Sequence, residues 1–390
     1  MNENIILYFN IYKNYKEMNY IFAFLITNIL LSNLNVNTTF QSSIFSETNL
    51  GNEGKNLIIS PISIFQVIGF TTNGAVGKTQ SEMISTLEAS SVEDINNINM
   101  KLKRSIKEFV SVELANGVMS TFEPIKSFIK VCDKYEAPIE KLISKNQVNY
   151  WCSQKTHGKI TQIIDKLDPL TVMLLLNAVY FRGEWTYPFN PKNTHNGTFY
   201  NYGKEEKKVE IMSQNHVFMY YQDKEIQAIE LPYKNDSMSA IIILPNNDIN
   251  INNYVNLLNV NDELVNKILD KMVRKKIQLY LPKFEVEFGQ TLKDVLIRLG
   301  MVKPFELDAD FSGINEVGGI YIADVIHKTY LKVDEIGSEA AGIAVVDLRT
   351  NGTLPISTKM NVNRPFIMII KSKEFPQNND FLFMAKIEEL

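Results

Sequence analysis

The stretch Val333-Asp334-Glu335-Ile336-Gly337-Ser338-Glu339-Ala340-Ala341-Gly342-Ile343-Ala344-Val345-Val346, continuing into Asp347-Leu348-Arg349-Thr350-Asn351-Gly352-Thr353, decides how the rest of the chain is read. It opens on an acidic turn and runs into small residues. In a strand every second side chain shares a face. Ser338, Ala340, Gly342, Ala344 and Val346 then line one side, and Glu339, Ala341, Ile343, Val345 and Asp347 the other. The first face is small enough to slip between strands already packed on a core, where bulkier side chains would overpack the site. Residues 349–353 are polar and turn-prone, which suits an exposed loop tip open to proteases. On pattern alone a small-residue loop between two strands is the favoured reading. A strand held in reserve is the alternative.

The chain around this stretch has 390 residues, of which 45% are hydrophobic and 22% charged, enough for a large core. A net charge of -4 gives no reason to expect nucleic acid or an anionic membrane as partner. Cys132 and Cys152 are the only cysteines and lack metal-type spacing; two buried thiols are slightly favoured over a disulfide. The hydrophobic run at residues 20–31, after Lys13, Lys16 and Met18, has the length of a signal-peptide core and is short for a membrane span. Residues 1–35 are therefore read as an N-terminal extension and signal peptide, and residues 36–390 as one domain. The sequons at Asn37, Asn196, Asn235 and Asn351 are compatible with secretion, although an Asn-rich chain produces such matches by chance.

Between residues 40 and 170 the periodicity is mainly helical. Ser60-Pro61-Ile62-Ser63 starts an apolar helix that Gly74 and Gly77 end. Thr79-Gln80-Ser81-Glu82 reads as a capping box ahead of a second helix, and Ser91-Val92-Glu93-Asp94 as a third start. Lys101, Lys103, Arg104 and Lys107 in that third helix are compatible with a glycosaminoglycan site, but a solvated helix face is the favoured reading. From Thr171 the pattern turns to strands. Val172 to Phe181 is continuous enough to be buried on both faces, and residues 228–232 and 237–244 flank a hairpin turn. Further strands fit 276–281, 284–288, 366–370 and 381–387, with a helix at 292–299 stopped by Gly300. The class is α+β. His157, His195, His216 and His327 form no zinc-protease motif, and no Gly-x-Ser-x-Gly elbow is present, so an enzyme is not expected.

The segment from Val333 to Ala341 resembles the hinge of a serpin reactive-centre loop. Other motifs fall in that family's order: Ser60-Pro61-Ile62-Ser63-Ile64, Asn177-Ala178-Val179-Tyr180-Phe181-Arg182-Gly183-Glu184-Trp185, Leu281-Pro282-Lys283-Phe284, His327-Lys328 and Asn363-Arg364-Pro365-Phe366. The likeness covers roughly residues 56–385. It implies the serpin fold: helices packed around a large central mixed β-sheet, further sheets, and an exposed loop at about residues 335–358. It also implies roles. Ser60, Ser63, Asn177 and His327 would form a hydrogen-bonded shutter at mid-sheet; Trp185, Lys283 and Glu335 would mark the breach at the top, with Lys283 and Glu335 in a salt bridge. Glu335, Gly337, Ser338, Glu339, Ala340, Ala341, Gly342, Ile343 and Ala344 would be the hinge. Ile336 and Ile343 depart from the usual pattern, and Ile343 lies on the outward face. The family's hinge-to-bond spacing, counted from Ser338, places the scissile bond at Asn351-Gly352. Arg349-Thr350 remains open, because Arg349 suits an acidic specificity pocket and Asn351 begins a sequon. The implied activity is that of a secreted, monomeric suicide-substrate inhibitor of a serine or, less readily, a cysteine protease, without metal or organic cofactor. A non-inhibitory serpin, acting as carrier, storage protein or chaperone, is the rival reading.

Overall fold

The computed structural model describes residues 39–108, 112–181, 183–234, 237–260, 264–338, 358–372, 374–375 and 380–390. In chain order the elements begin with α1 (Phe40–Asn49), β1 (Leu57–Ile59), α2 (Pro61–Thr72), α3 (Gly77–Thr86), α4 (Val92–Glu108) and β2 (Val112–Ser120). Then come α5 (Lys126–Lys134), β3 (Ile139–Lys141), α6 (Lys145–Lys155), β4 (Met173–Phe181), β5 (Gly183–Glu184) and β6 (His195–Tyr200). They are followed by β7 (Glu206–Gln222), β8 (Ile226–Pro232), β9 (Met238–Pro245), α7 (Ile251–Val260) and α8 (Leu264–Asp270). After these lie β10 (Val273–Pro282), β11 (Phe284–Thr291), α9 (Lys293–Arg298), β12 (Val325–Val333), β13 (Gly337–Ser338), β14 (Thr358–Asn361), β15 (Phe366–Ser372) and β16 (Phe381–Ile387).

A five-stranded mixed sheet in the order β11-β12-β4-β2-β3 carries the site. A nine-stranded sheet runs β1-β16-β15-β9-β8-β7-β10-β14, with β6 on β7, and β13 pairs with β5. In the five-stranded sheet β12 and β4 are neighbours and parallel, from Val325↔Leu175 to Tyr330↔Tyr180. We call this pairing the seam.

The two-sided burial expected of β4 is borne out. Met173, Leu175, Val179 and Phe181 enter the main core, while Leu174, Leu176 and Ala178 join a second core with Val148, Trp151 and Cys152 of α6. Fully burying such side chains contributes about 1.5–3 kcal/mol each, so β4 is anchored from above and below. Helix α2 is buried all round from Pro61 to Thr72, as a helix without a polar face must be. It stops where a Cβ on Gly74 would lie 2.2 Å from Ile314 Cγ1. The hairpin β8–β9, the strands β10, β11, β15 and β16, and a helix ending before Gly300 also stand where the pattern puts them.

Residues 40–170 are mainly helical, as the periodicity predicts, with β1, β2 and β3 among the helices. One expectation needs correction. Thr79 does not cap α3, whose N-cap is Val76; its hydroxyl accepts instead from Asp310 N at 2.9 Å, and Glu82 accepts from Val302 N at 2.9 Å. The segment folded over α3 has taken up both capping groups. Ser91 does cap its helix, accepting from Asp94 N at 3.1 Å. Cys132 and Cys152 are buried, unpaired thiols, and burial pushes each up to about 12.

Candidate functional site: the seam and its breach

Side chains directly opposite one another across paired strands share a face. Register therefore places Gln290 of β11, His327 of β12, Asn177 of β4 and Asn116 of β2 in one polar row across the sheet. Asn177 falls among the β4 residues that enter the main core, where a carboxamide must find partners. Its Nδ2 donates to the Ser63 carbonyl at 3.2 Å, to the Ser63 hydroxyl and to Asn116 Oδ1 at 2.8 Å. His327 Nε2 accepts from the Ser60 backbone N–H at 3.1 Å, so Nδ1 carries the proton and donates to Asn177 Oδ1 at 2.6 Å. Burial with no compensating charge pushes the His327 pKa down to about 3, and the imidazole is neutral.

The four residues expected at the shutter are thus brought together, with one change of role. Ser60 contributes its amide, while its hydroxyl is buried without a hydrogen-bond partner. Sequence reasoning missed Asn116 and Gln66, which extend the network through Asn116 Nδ2→Gln66 Oε1 at 3.1 Å. Within this network among the described residues, the side-chain bond that crosses the seam between β12 and β4 is that from His327 to Asn177, beside the backbone ladder of the two strands. Parting the strands breaks that bond and leaves the Asn177–Ser63–Asn116 cluster intact on one side.

At the top of the sheet Trp185 is buried and stacked on Tyr233, with ring centroids 4.5 Å apart and planes 12° off parallel. Its Nε1 donates to Asp334 O at 3.0 Å and its backbone N to Ile336 O at 2.8 Å. The expected Lys283–Glu335 bridge is present at 3.4 Å, and Lys283 also reaches Glu210 at 3.2 Å. Glu335 accepts from Thr194 Oγ1 at 2.7 Å. Burial opposes ionisation of Glu335, but the Thr194 hydroxyl and Lys283 hold its pKa below the usual carboxylate value. For Lys283 burial likewise opposes the charge, and Glu210 and Glu335 raise its pKa above the usual value.

The hinge begins within this cluster. Asp334 turns the chain: its N donates to Gly337 O at 2.9 Å, and its Oδ1 accepts from Ile336 N at 3.0 Å. Gly337 and Ser338 then run antiparallel to Glu184 and Gly183. Ser338 is fully buried, with Oγ 2.8 Å from Tyr233 OH. This is the small-residue face read from the sequence, and its first member points inward. Gly337 is required by close approach, because a Cβ there would lie 1.8 Å from Gly183 O. Glu339, Ala340, Ala341, Gly342, Ile343, Ala344, Arg349, Thr350, Asn351 and Gly352 lie outside the described residues, as do the sequons at Asn37 and Asn235 and the leader segment. Asn196 is exposed on β6. Of the basic residues of α4, Lys103 is 2.9 Å from Glu136, Lys101 and Arg104 are exposed, and the Lys107 side chain lies outside what is described. Among the described residues no group of His, Cys, Asp and Glu could hold a metal, and no helix is long and apolar enough to cross a membrane.

Helices packed around a nine-stranded and a five-stranded mixed sheet, with a short antiparallel strand begun at the top of the seam, define the class as α+β with this particular sheet topology. The family model for serpins (serine protease inhibitors) matches residues 35–390, and the chain belongs to that family. It is 34% identical to intracellular coagulation inhibitor 2 of Tachypleus tridentatus over 359 residues, covering 87% of each chain. Human alpha-1-antichymotrypsin is 29% identical over 388 residues, covering 93% of this chain and 89% of that one. Native tengpin, a thermophilic serpin, superposes with a TM-score of 0.81 at 28% identity, over 90% of this chain and 92% of its own.

Proposed function

We propose that this chain is a secreted inhibitor of serine proteases that acts as a suicide substrate. The observation that carries the reading is the course of β13, which leaves the end of β12 and enters antiparallel to β5. A strand continued along that line runs down the seam, antiparallel to both β4 and β12. In the reaction the protease serine attacks the carbonyl carbon of Asn351, or of Arg349, forming an ester and releasing the amine of the next residue. The hinge, no longer tethered beyond the cut, inserts as a further strand and carries the acylated protease with it. The ladder hydrogen bonds gained on both sides drive the step. Ser338 already occupies its inward position, and the small residues that follow on the same face suit the remaining path. Names of relatives that refer to inhibition support this reading. Secretion is supported by the hydrophobic run at residues 20–31 and by the sequons.

The test is incubation with trypsin-like, chymotrypsin-like, asparaginyl and papain-like proteases, resolved on a denaturing gel with mass spectrometry of the cut. The expected result is a covalent complex together with a released C-terminal fragment beginning at Gly352 or Thr350. The fragment's first residue chooses between the two bonds, and the protease class trapped names the target chemistry. Cleavage of the loop without any complex would overturn the inhibitor and favour a carrier, storage or chaperone role. Expression in eukaryotic cells, with N-terminal sequencing of protein from the medium, tests secretion; retention of an unprocessed chain inside the cell would refute it.

A further inference from the structure

A cleft of about 940 Å³ lies away from the seam, where three connections meet. They are the β6–β7 turn at residues 200–204, the link from β9 into α7 at residues 245–251, and β14 with its link to β15 at residues 359–365. Its volume falls within the range of small-molecule sites. Its charge is one-sided. Lys204, Lys359 and Arg364 line it against a single carboxylate, Asp248.

Two of these cations are held there for structural reasons. Lys359 and Asn361 alternate on the outward face of β14, because Met360 and Val362 between and beyond them are buried in the core. The Lys359 ammonium sits 4.7 Å from the Tyr280 ring centroid, an arrangement that fixes the side chain without neutralising it. Arg364 Nε donates to Pro245 O at 2.8 Å, which ties the guanidinium to the opposite wall. Among the described residues no carboxylate pairs with Arg364, Lys359 or Lys204. Arg364 is also partly buried, and burial alone pulls its pKa below the usual value. A desolvated guanidinium without a counter-charge costs stability unless something else supplies one. The α7 helix begins on the same wall at Ile251, adding the positive end of its dipole. Tyr200 and Tyr202, both exposed, offer ring faces beside the charges.

We propose that this cleft binds a small organic oxyanion, its phosphate, sulfate or carboxylate group held by Arg364 and Lys359 with Lys204 at the rim, and its body against Tyr200 and Tyr202. Occupancy would bridge β14 to the β6–β7 turn. The site is independent of protease trapping and stands or falls without it.

The test uses the full chain in isothermal titration calorimetry at fixed ionic strength. The probes are 4-nitrophenyl phosphate, 4-nitrophenyl sulfate and 4-nitrobenzoate, with 4-nitrobenzyl alcohol as the neutral comparator. The expected result is saturable one-to-one binding of at least one anion and none of the alcohol, and the preferred anion identifies the head group. Loss of one charge-assisted contact should weaken binding about tenfold or more in Lys359→Met and in Arg364→Met. Lys359 is exposed, so its variant should keep the wild-type melting temperature even if Arg364→Met fails to fold. No saturable binding would overturn the proposal. Equal affinity for the alcohol, or for wild type and Lys359→Met, would do the same.

Discussion

Replacing Gly337 by alanine should evict the hinge from the top of the sheet. The added Cβ would sit 1.8 Å from Gly183 O and 2.7 Å from Glu184 Cα, both backbone atoms that no side-chain rotation can move aside. Ordinary contact begins near 3.4 Å, so the strands must part by about 1.5 Å, a strain of about 1–3 kcal/mol by analogy with overpacked cores. What holds the hinge is of similar size. The pairing of Gly337 and Ser338 with β5 and the Ser338–Tyr233 hydrogen bond amount to a few bonds at about 1 kcal/mol each. The docked hinge should therefore lose most of its advantage, a shift of about tenfold or more in the ratio of released to docked. Trp185 reports it directly, since its indole is buried, stacked on Tyr233 and bonded to Asp334 O. With Trp151, the other tryptophan, changed to phenylalanine, Gly337→Ala should red-shift the emission and speed hydrogen exchange at the Trp185 amide. In the protease assay the same variant should be cleaved more often without forming a complex, because the inserted strand would meet the same clash. Unchanged emission, exchange and partitioning would refute the argument that close backbone approach at Gly337 governs the hinge.

His327 makes stability depend on pH with a definite sign. Its folded pKa of about 3 lies below the ordinary value, so the unfolded chain takes up a proton that the folded one excludes. The contribution is complete above about pH 6.5 and falls by up to about 1.4 kcal/mol per pH unit as pH drops toward 3. Urea midpoints at pH 7 and 5 should show this loss, and His327→Gln should reduce it; an equal slope in both proteins would count against it. Asn116→Ala removes one of the Asn177 amide's acceptors and strands Gln66 Oε1, which should cost about 1–2 kcal/mol and lower the melting temperature by a few degrees in scanning calorimetry; an unchanged transition would mean that Asn116 is dispensable. Iodoacetamide at pH 8 should label neither Cys132 nor Cys152 in the native protein and both in guanidinium, since burial holds both thiols protonated. Mass spectrometry showing label on the native protein would contradict that burial.

The parts of the fold legible beforehand were those whose pattern has one physical solution. The apolar run of β4 reads as a doubly buried strand and stands as one, whereas the alternation from Ser338 left a loop and a strand both open, and of its small face Ser338 alone is described, buried against Tyr233. Asn116 was hidden for the opposite reason. Asn-Gly ordinarily marks a turn, yet here Asn116-Gly117 lies inside β2, because Trp151 of α6 packs where a Gly117 Cβ would stand, 2.7 Å from Cζ2. Strand β3 is short and half exposed, with too little pattern to separate it from its helical surroundings. The Thr79–Glu82 pair is a true capping motif by sequence, overruled by a loop that needed its oxygens more. At the seam, the resemblance named His327 and Asn177, but only the register shows that they share a row with Gln290 and Asn116.

The position of β16 bears on how the chain reaches this state at all. It lies between β1 and β15, and Leu57 pairs with Lys386, almost the whole chain away. Bringing such distant segments together is slow, because closure entropy is spent before the contact returns anything. Until residues 381–387 arrive, β1 has no ladder partner and one edge of β15 is bare, both open to pairing with the wrong strand. The nine-stranded sheet is thus completed by a late joining step, in which the last strand of the chain closes a gap between two strands that wait with bare edges.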